Sequence, residues 1–151
     1  MSKKNTRTKP KLLIDTTFLL PALGFEVEEN AMKAIELFRK YDIYYIEFGI
    51  LEAMWKILKI IKSEQLIIVY QGLEAIRETY KKLEVPIEAY VDSFSFYNKG
   101  HKDIIDAIYY FTSIYSKIPL LTIDENLIEF LLKNGYNTDL LYRPSDLNKL
   151  L

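Results

Sequence analysis

Two aspartates of the sequence each end a short apolar run. Asp15 closes residues 11–15 (KLLID), and Asp124 closes residues 119–124 (PLLTID). Runs of this length are too short for helices and are typical of buried parallel strands. Because ligands bind outside the carboxyl ends of the strands in open parallel sheets, we expect the two carboxylates to lie at one site. Each could instead simply cap the helix that follows, since Asp is a preferred N-cap residue.

Three further acids lie in predicted helices. Glu52 belongs to a helix over residues 48–62 that is apolar around much of its circumference, where a carboxylate must be exposed, paired or bound to a metal. Lys56, one turn later, offers it an i,i+4 ion pair. Asp103 and Asp106 lie one turn apart in a helix over 102–116 and could serve one cation. As acids of a first turn they could also offset unpaired backbone N–H groups, which suits Asp103 better than Asp106.

Carboxylates gathered without basic partners repel one another, which raises their pKa values unless a divalent cation neutralises them. Such a cluster predicts Mg²⁺ or Mn²⁺. The sequence has no cysteine, which excludes disulfides, thiolate metal sites and cysteine nucleophiles. His101 is the only histidine, so there is no zinc-site pattern.

The elements that must position these acids alternate between strand and helix. Strands are predicted at residues 11–15, 43–46, 87–91, 119–124 and 139–142. Helices are predicted at residues 16–23, 28–40, 48–62, from 63 to about 82, 102–116 and 125–133. This order favours a three-layer α/β/α fold with a central, mainly parallel sheet.

Composition limits the class of protein. At 151 residues, half of them hydrophobic, we expect one domain over residues 11–151. The net charge of -1 excludes a uniformly basic nucleic-acid-binding body, so any such contact must be local. Residues 1–10 carry Lys3, Lys4, Arg7 and Lys9 without an acid and are expected to be a disordered basic tail.

The apolar stretch 12–25 is too short and too interrupted to cross a bilayer, which favours a soluble, cytoplasmic protein. Abundant Ile, Lys, Glu and Tyr are typical of proteins from thermophiles.

Four short motifs surround the acids: LIDT at 13–16, LE at 51–52, DAI at 106–108 and LTID at 121–124. Their order, spacing and placement in strand, helix, helix and strand resemble the PIN-domain nucleases, and among them the VapC-like ribonucleases. The resemblance covers most of the chain, from about residue 11 to residue 142. One departure is Thr17, where this family usually has Asn or Ser, but a hydroxyl remains.

The resemblance implies catalytic and metal-binding roles for Asp15, Glu52, Asp106 and Asp124, with Asp103 as an extra candidate ligand. Thr16 and Thr122 would support them. It implies an Mg²⁺- or Mn²⁺-dependent endoribonuclease that hydrolyses RNA phosphodiester bonds. Many small prokaryotic members are toxins of toxin–antitoxin pairs, so a homodimer and a cognate antitoxin are expected partners, with no membrane association.

Substrate contacts are predicted in the loop before the acidic helix. Lys99, His101 and Lys102 lie at the start of that helix, where they could hold phosphates or could simply be solvated.

Other functions are open to different degrees. A catalytically inactive RNA- or protein-binding scaffold of the same fold is disfavoured because all four acidic positions are filled. A phosphohydrolase of the haloacid dehalogenase type would need a second Asp where Thr17 stands. Five glycines, none in a glycine-rich loop between strand and helix, exclude the P-loop and dinucleotide motifs.

Overall fold

The computed structural model of the chain describes residues 8–150. The part of the predicted basic tail that carries Lys3, Lys4 and Arg7 lies outside the described residues. Five strands form one sheet in the order β3-β2-β1-β4-β5, and every pair is parallel. They are Lys11–Ile14 (β1), Asp42–Tyr45 (β2), Lys81–Lys82 (β3), Leu120–Leu121 (β4) and Leu141–Tyr142 (β5).

Between residues 8 and 150, six α-helices and four 3-10 helices connect and cover the strands. The α-helices are Glu29–Glu36 (α1), Glu47–Ile57 (α2), Leu66–Thr79 (α3), Ile87–Asn98 (α4), Ile104–Ser116 (α5) and Glu125–Lys133 (α6). The 3-10 helices are Thr16–Leu23, Phe38–Lys40, Ser63–Gln65 and Pro144–Leu150. No helix within the described residues is long and apolar enough to cross a membrane.

The helices cover both faces of the sheet. Leu12 and Ile14 of β1 pack into a core shared with the first 3-10 helix and with α1, α2 and α3. Leu13, whose side chain points the other way along the pleat, packs into a second core with residues of α5. The predicted three-layer α/β/α fold with a parallel sheet is therefore confirmed.

The predicted strand at residues 87–91 is wrong, because this segment is the first part of helix α4. Its buried residues Ala89, Ser93 and Phe96 recur at helical spacing, which a window of five residues is too short to reveal. The third strand is instead Lys81–Lys82, which the sequence placed at the end of a helix. Two exposed lysines at a sheet edge carry no apolar pattern, so only their pairing with β2 defines them as a strand.

Predicted helix ends also shift. Helix α2, expected to continue to residue 62, ends at Ile57. Helix α3, expected to continue to about residue 82, ends at Thr79. Helix α1 ends at Glu36 and is followed by the separate 3-10 helix Phe38–Lys40.

Candidate active site

Asp15 lies at the carboxyl end of β1, in the middle of the sheet. Its backbone is extended, and Oδ1 accepts a hydrogen bond from the Thr17 N–H at 3.0 Å, which caps the 3-10 helix Thr16–Leu23. The buried Thr122 side chain, just after the neighbouring strand β4, lies near the Asp15 carboxyl and lowers its pKa. Asp15 therefore both caps the following 3-10 helix and lies at the carboxyl end of β1, so the two predicted roles are compatible.

Asp124 lies beyond the carboxyl end of β4. Its Oδ1 accepts a hydrogen bond from the Leu127 N–H at 3.2 Å and caps helix α6. Its own N–H donates to Thr122 Oγ1 at 3.1 Å. Since Thr122 also influences the pKa of Asp15, this one buried threonine lies between the two acids.

Glu52 enters the site from α2, with its side chain 19% exposed. The predicted i,i+4 pair with Lys56 is present but long, at 3.9 Å between Nζ and Oε1. Gly49, one turn earlier, faces the Tyr109 hydroxyl so closely that a Cβ would lie 2.0 Å from it. The missing side chain therefore lets α5 approach α2. A glycine inside an apolar helical segment was a signal of this close approach that sequence reasoning did not use.

Asp106 lies in the first turn of α5 with its side chain 17% exposed. Its Oδ2 is 2.9 Å from Nε2 of His101. The centre of the His101 ring lies 4.9 Å from the centre of the Phe130 ring. Asp103 is exposed and caps the helix, since its Oδ1 accepts from the N–H groups of Ile105 and Asp106. The expected difference between the two acids is present, because only Asp106 is directed inward.

The acids influence one another electrostatically. Burial raises the pKa of Asp15 to about 7, with Glu52 adding to the rise and the Thr122 and Thr17 hydrogen bonds opposing it. Burial also raises the pKa of Asp106 to about 9, and Asp103, Asp124 and Glu52 add to that rise. The carboxylates of Asp15 and Asp106 therefore lie where burial and neighbouring acids disfavour their ionised forms.

A model of the PIN domain matches residues 12–130 of this chain. The chain belongs to the PIN-domain family. Family members are generally nucleases, which supports hydrolysis of nucleic acids as the general class of activity. No curated protein matches the sequence significantly.

Solved structures similar to this PIN domain share its fold at low identity. A crystal structure of a protein from Pyrobaculum aerophilum aligns with a TM-score of 0.61 and 19% identity over 93% of this chain and 95% of that one. A toxin–antitoxin complex from Klebsiella pneumoniae aligns with a TM-score of 0.61 and 16% identity, covering 89% of this chain and 98% of that one. A crystal structure of FitAcB from Neisseria gonorrhoeae aligns with a TM-score of 0.60 and 13% identity, covering 88% of this chain and 97% of that one.

The donor set of this PIN domain fits a divalent cation by its chemistry. Its side chains offer carboxylate oxygens, the ligands that Mg²⁺ and Mn²⁺ prefer, and burial leaves their charge uncompensated. As the side chains stand, no three Asp, Glu or His residues within 8–150 are grouped closely enough to hold an ion. A bound cation would therefore draw the carboxylates closer together.

The three predicted substrate contacts differ in their surroundings. Lys99 and Lys102 are exposed, and the Lys99 ammonium lies 4.5 Å from the centre of the Tyr136 ring. The His101 side chain is only 13% exposed and is directed at Asp106. The two lysines thus remain accessible to a phosphate, whereas His101 contacts the acidic cluster.

Proposed function

We propose that this PIN domain is an Mg²⁺- or Mn²⁺-dependent endoribonuclease that hydrolyses phosphodiester bonds of cytoplasmic RNA. The observation that carries the proposal is the mutual electrostatic influence of carboxylates from separate segments at the carboxyl edge of a parallel sheet. Burying like charges is unfavourable in the free protein, so a function that brings in positive charge accounts for their placement together.

Each residue has a distinct role in this proposal. Asp15, Asp106 and Asp124 would hold the cation, Glu52 would orient it or a water molecule, and Asp103 would contribute from the rim. A cation bound there would activate water and offset negative charge on the phosphoryl oxygens.

The threonines would keep the ligands in place. Thr122 Oγ1 accepts from the Asp124 N–H, and the same side chain lies near the Asp15 carboxyl, so it would position both ligands. Thr16 lies behind them, 3.4 Å from the Tyr109 hydroxyl, and both residues are buried. They would keep bulk water away from the inner side of the acids.

The test is cleavage of labelled RNA and DNA with Mg²⁺, Mn²⁺ or EDTA by the wild-type, Asp15→Asn and Asp124→Asn proteins. The proposal expects metal-dependent RNA cleavage that both substitutions abolish. Glu129→Gln, an exposed acid on the same helix as Asp124, is the matched control and should cleave normally. Metal-independent cleavage, or full activity of Asp15→Asn, would contradict the proposal. A folded wild type that binds RNA but never cleaves it would favour the scaffold function.

We propose a homodimer as the working form. Helices α2 and α4 carry large exposed apolar side chains and adjoin one another through the Phe48 and Tyr90 rings, whose centres are 5.9 Å apart. These exposed side chains are Leu51 and Trp55 on α2, Leu58 directly after it, and Ile87, Val91 and Phe94 on α4. A surface of this kind is typical of an interface. Light scattering should give twice the chain mass, and Phe94→Glu should halve it, whereas Leu132→Glu on α6 should not.

A cognate antitoxin is the second proposed partner, since one similar structure is a toxin–antitoxin complex. Helix α3 leaves Leu66, Ile67 and Tyr70 more than half exposed, which suits an apolar helix of a partner. Co-purification with the product of an adjacent reading frame, lost in Ile67→Glu but not in Leu132→Glu, would support this assignment. Unchanged co-purification of Ile67→Glu would contradict it.

A further inference from the structure

The amino ends of the strands form a second concave surface, at the edge of the sheet opposite to the acids. A cavity of about 310 Å³ opens there, lined by Lys9 just before β1, by the 3-10 helix Phe38–Lys40 and by the first residues of β2 and β3. Lys9, Arg39 and Lys81 line it and are exposed. We call this cavity the amino-edge groove.

The amino-edge groove is strongly basic for a chain of net charge -1. Among the described residues that line it, the single acid is Asp42, whose carboxylate is 3.5 Å from the Lys81 ammonium. Lys11 adds to the positive charge, because its ammonium and that of Lys81 lie 5.9 and 5.8 Å from the centre of the Tyr44 ring. Exposed Lys and Arg side chains therefore outnumber acids around the groove, which makes it a local positive surface that favours an anionic ligand.

Aromatic side chains form the inner wall of the same groove. Phe38 and Tyr80 both line it, with ring centres 6.2 Å apart in an edge-to-face arrangement. Phe38 is buried, while Tyr80 is only partly so and can contact a ligand. Cations around an aromatic wall are the groups that recognise the phosphates and bases of single-stranded nucleic acids.

The acidic edge creates a need for such a surface. A polyanionic substrate is repelled by clustered carboxylates, and phosphate contacts with Lys and Arg supply most of the sequence-independent affinity for nucleic acids. The two edges are separated by the length of β1, about 13 Å for four residues in a strand.

We propose that the amino-edge groove binds the phosphate backbone of single-stranded RNA at a position separate from the catalytic carboxylates. This inference rests on the proposed ribonuclease function, because it assigns a second contact to the same class of substrate. Arg39 and Lys81 provide the phosphate contacts, and Tyr80 packs against the strand.

The test measures the salt dependence of RNA binding. Fluorescence anisotropy of a labelled single-stranded RNA is recorded with the Asp15→Asn protein, so that cleavage does not interfere, at about 50 and about 200 mM salt. Arg39→Gln/Lys81→Gln is compared with Lys33→Gln/Lys149→Gln, which makes the same change in net charge at two exposed lysines elsewhere. Thermal melting establishes that both double variants fold.

Two lost phosphate contacts should reduce the slope of log Kd against log salt by about 1.4, since each contact on a single strand contributes about 0.7. The weakening of binding between the two salt concentrations should therefore be about 7-fold smaller than in the control. A slope equal to that of the control overturns the inference. Equal competition by polyglutamate, an acidic peptide without bases or phosphates, also overturns it.

The inference and the proposed function can fail separately. Wild-type protein that cleaves RNA, together with groove variants that bind like the control, refutes the groove alone. Groove-dependent binding by a wild-type protein that never cleaves RNA refutes the nuclease proposal and leaves the groove as an RNA contact.

Discussion

Replacing Asp106 by asparagine is expected to stabilise the metal-free protein at neutral pH. The Asp106 carboxyl is mostly buried, and its pKa in the folded chain is about 9, against 3.8 in the unfolded chain. The folded state therefore binds this proton more tightly. The stability that depends on the proton is fully present below pH 3.8 and is lost progressively as the pH rises towards 9.

The size of the effect follows from the pKa difference. Each pH unit between 3.8 and 9 removes about 1.4 kcal/mol of unfolding free energy, so about 4 kcal/mol is lost by pH 7. Asparagine resembles the neutral carboxyl group and has no charge to bury. The His101 contact with Asp106 works against this loss, because a hydrogen bond from Nε2 to Oδ2 favours the ionised carboxylate, so about 4 kcal/mol is an upper figure.

The assay is urea denaturation of the wild type and Asp106→Asn in EDTA at several pH values from about 4 to about 9. The two proteins should be equally stable near pH 4, and the variant should gain steadily over the wild type as the pH rises. Asp139→Asn, an exposed acid in a loop, should track the wild type throughout. A variant that is less stable than the wild type at pH 8, or a difference independent of pH, would refute the electrostatic argument.

Three further predictions concern the cation, the cluster and the fold. Saturating Mn²⁺ at about 100 times its Kd should add about 2.7 kcal/mol to the stability of the wild type and raise its Tm by about 5 to 10 °C in calorimetry, whereas Asp106→Asn should show little of this gain. His101→Ala should weaken Mn²⁺ binding at least about 10-fold by calorimetric titration, and His101→Gln, which keeps an N–H donor, should lose less affinity. Equal Mn²⁺ affinities for the wild type and both variants would exclude a role of His101 in holding Asp106. Gly72→Ala should destabilise the fold by about 1 to 3 kcal/mol or more, because its Cβ would lie 2.0 Å from the Ala22 carbonyl oxygen, while Glu74→Ala on the exposed side of the same helix should change the urea midpoint little.

The central strands were predictable because their sequence signal is local. An apolar run that ends in Asp identifies both β1 and β4, and it places Asp15 and Asp124 at the same edge of any parallel sheet. Strand β3 has no such signal, since Lys81 and Lys82 are exposed and are ordered only by pairing with Tyr44 and Tyr45. The segment 87–91 was predicted to be a strand from its apolar residues. In the structure it begins α4, and Ile87 and Val91 are exposed, so their apolar character does not mark a buried face.

The arrangement around Asp106 depends on packing that no single segment encodes. His101 follows the end of α4, and its N–H donates to the Phe96 carbonyl oxygen at 2.9 Å. Its ring then packs against Phe96 and Phe130, which come from two different helices, so that Nε2 is directed at Asp106. The sequence indicates that a histidine lies near the acids, but only the contact between α4, α5 and α6 determines which way its ring points.

The charge distribution gives the two edges of the sheet complementary roles under the proposed function. Carboxylates that share a buried site cannot also attract RNA, so their catalytic use requires that affinity be supplied elsewhere on the chain. A net charge near zero leaves no general attraction, which makes local clusters of Lys and Arg decisive. The amino-edge groove provides such a cluster about 13 Å away, at the other end of the same strand. Removing the groove cations should therefore weaken substrate binding, whereas removing a carboxylate should abolish turnover while binding persists.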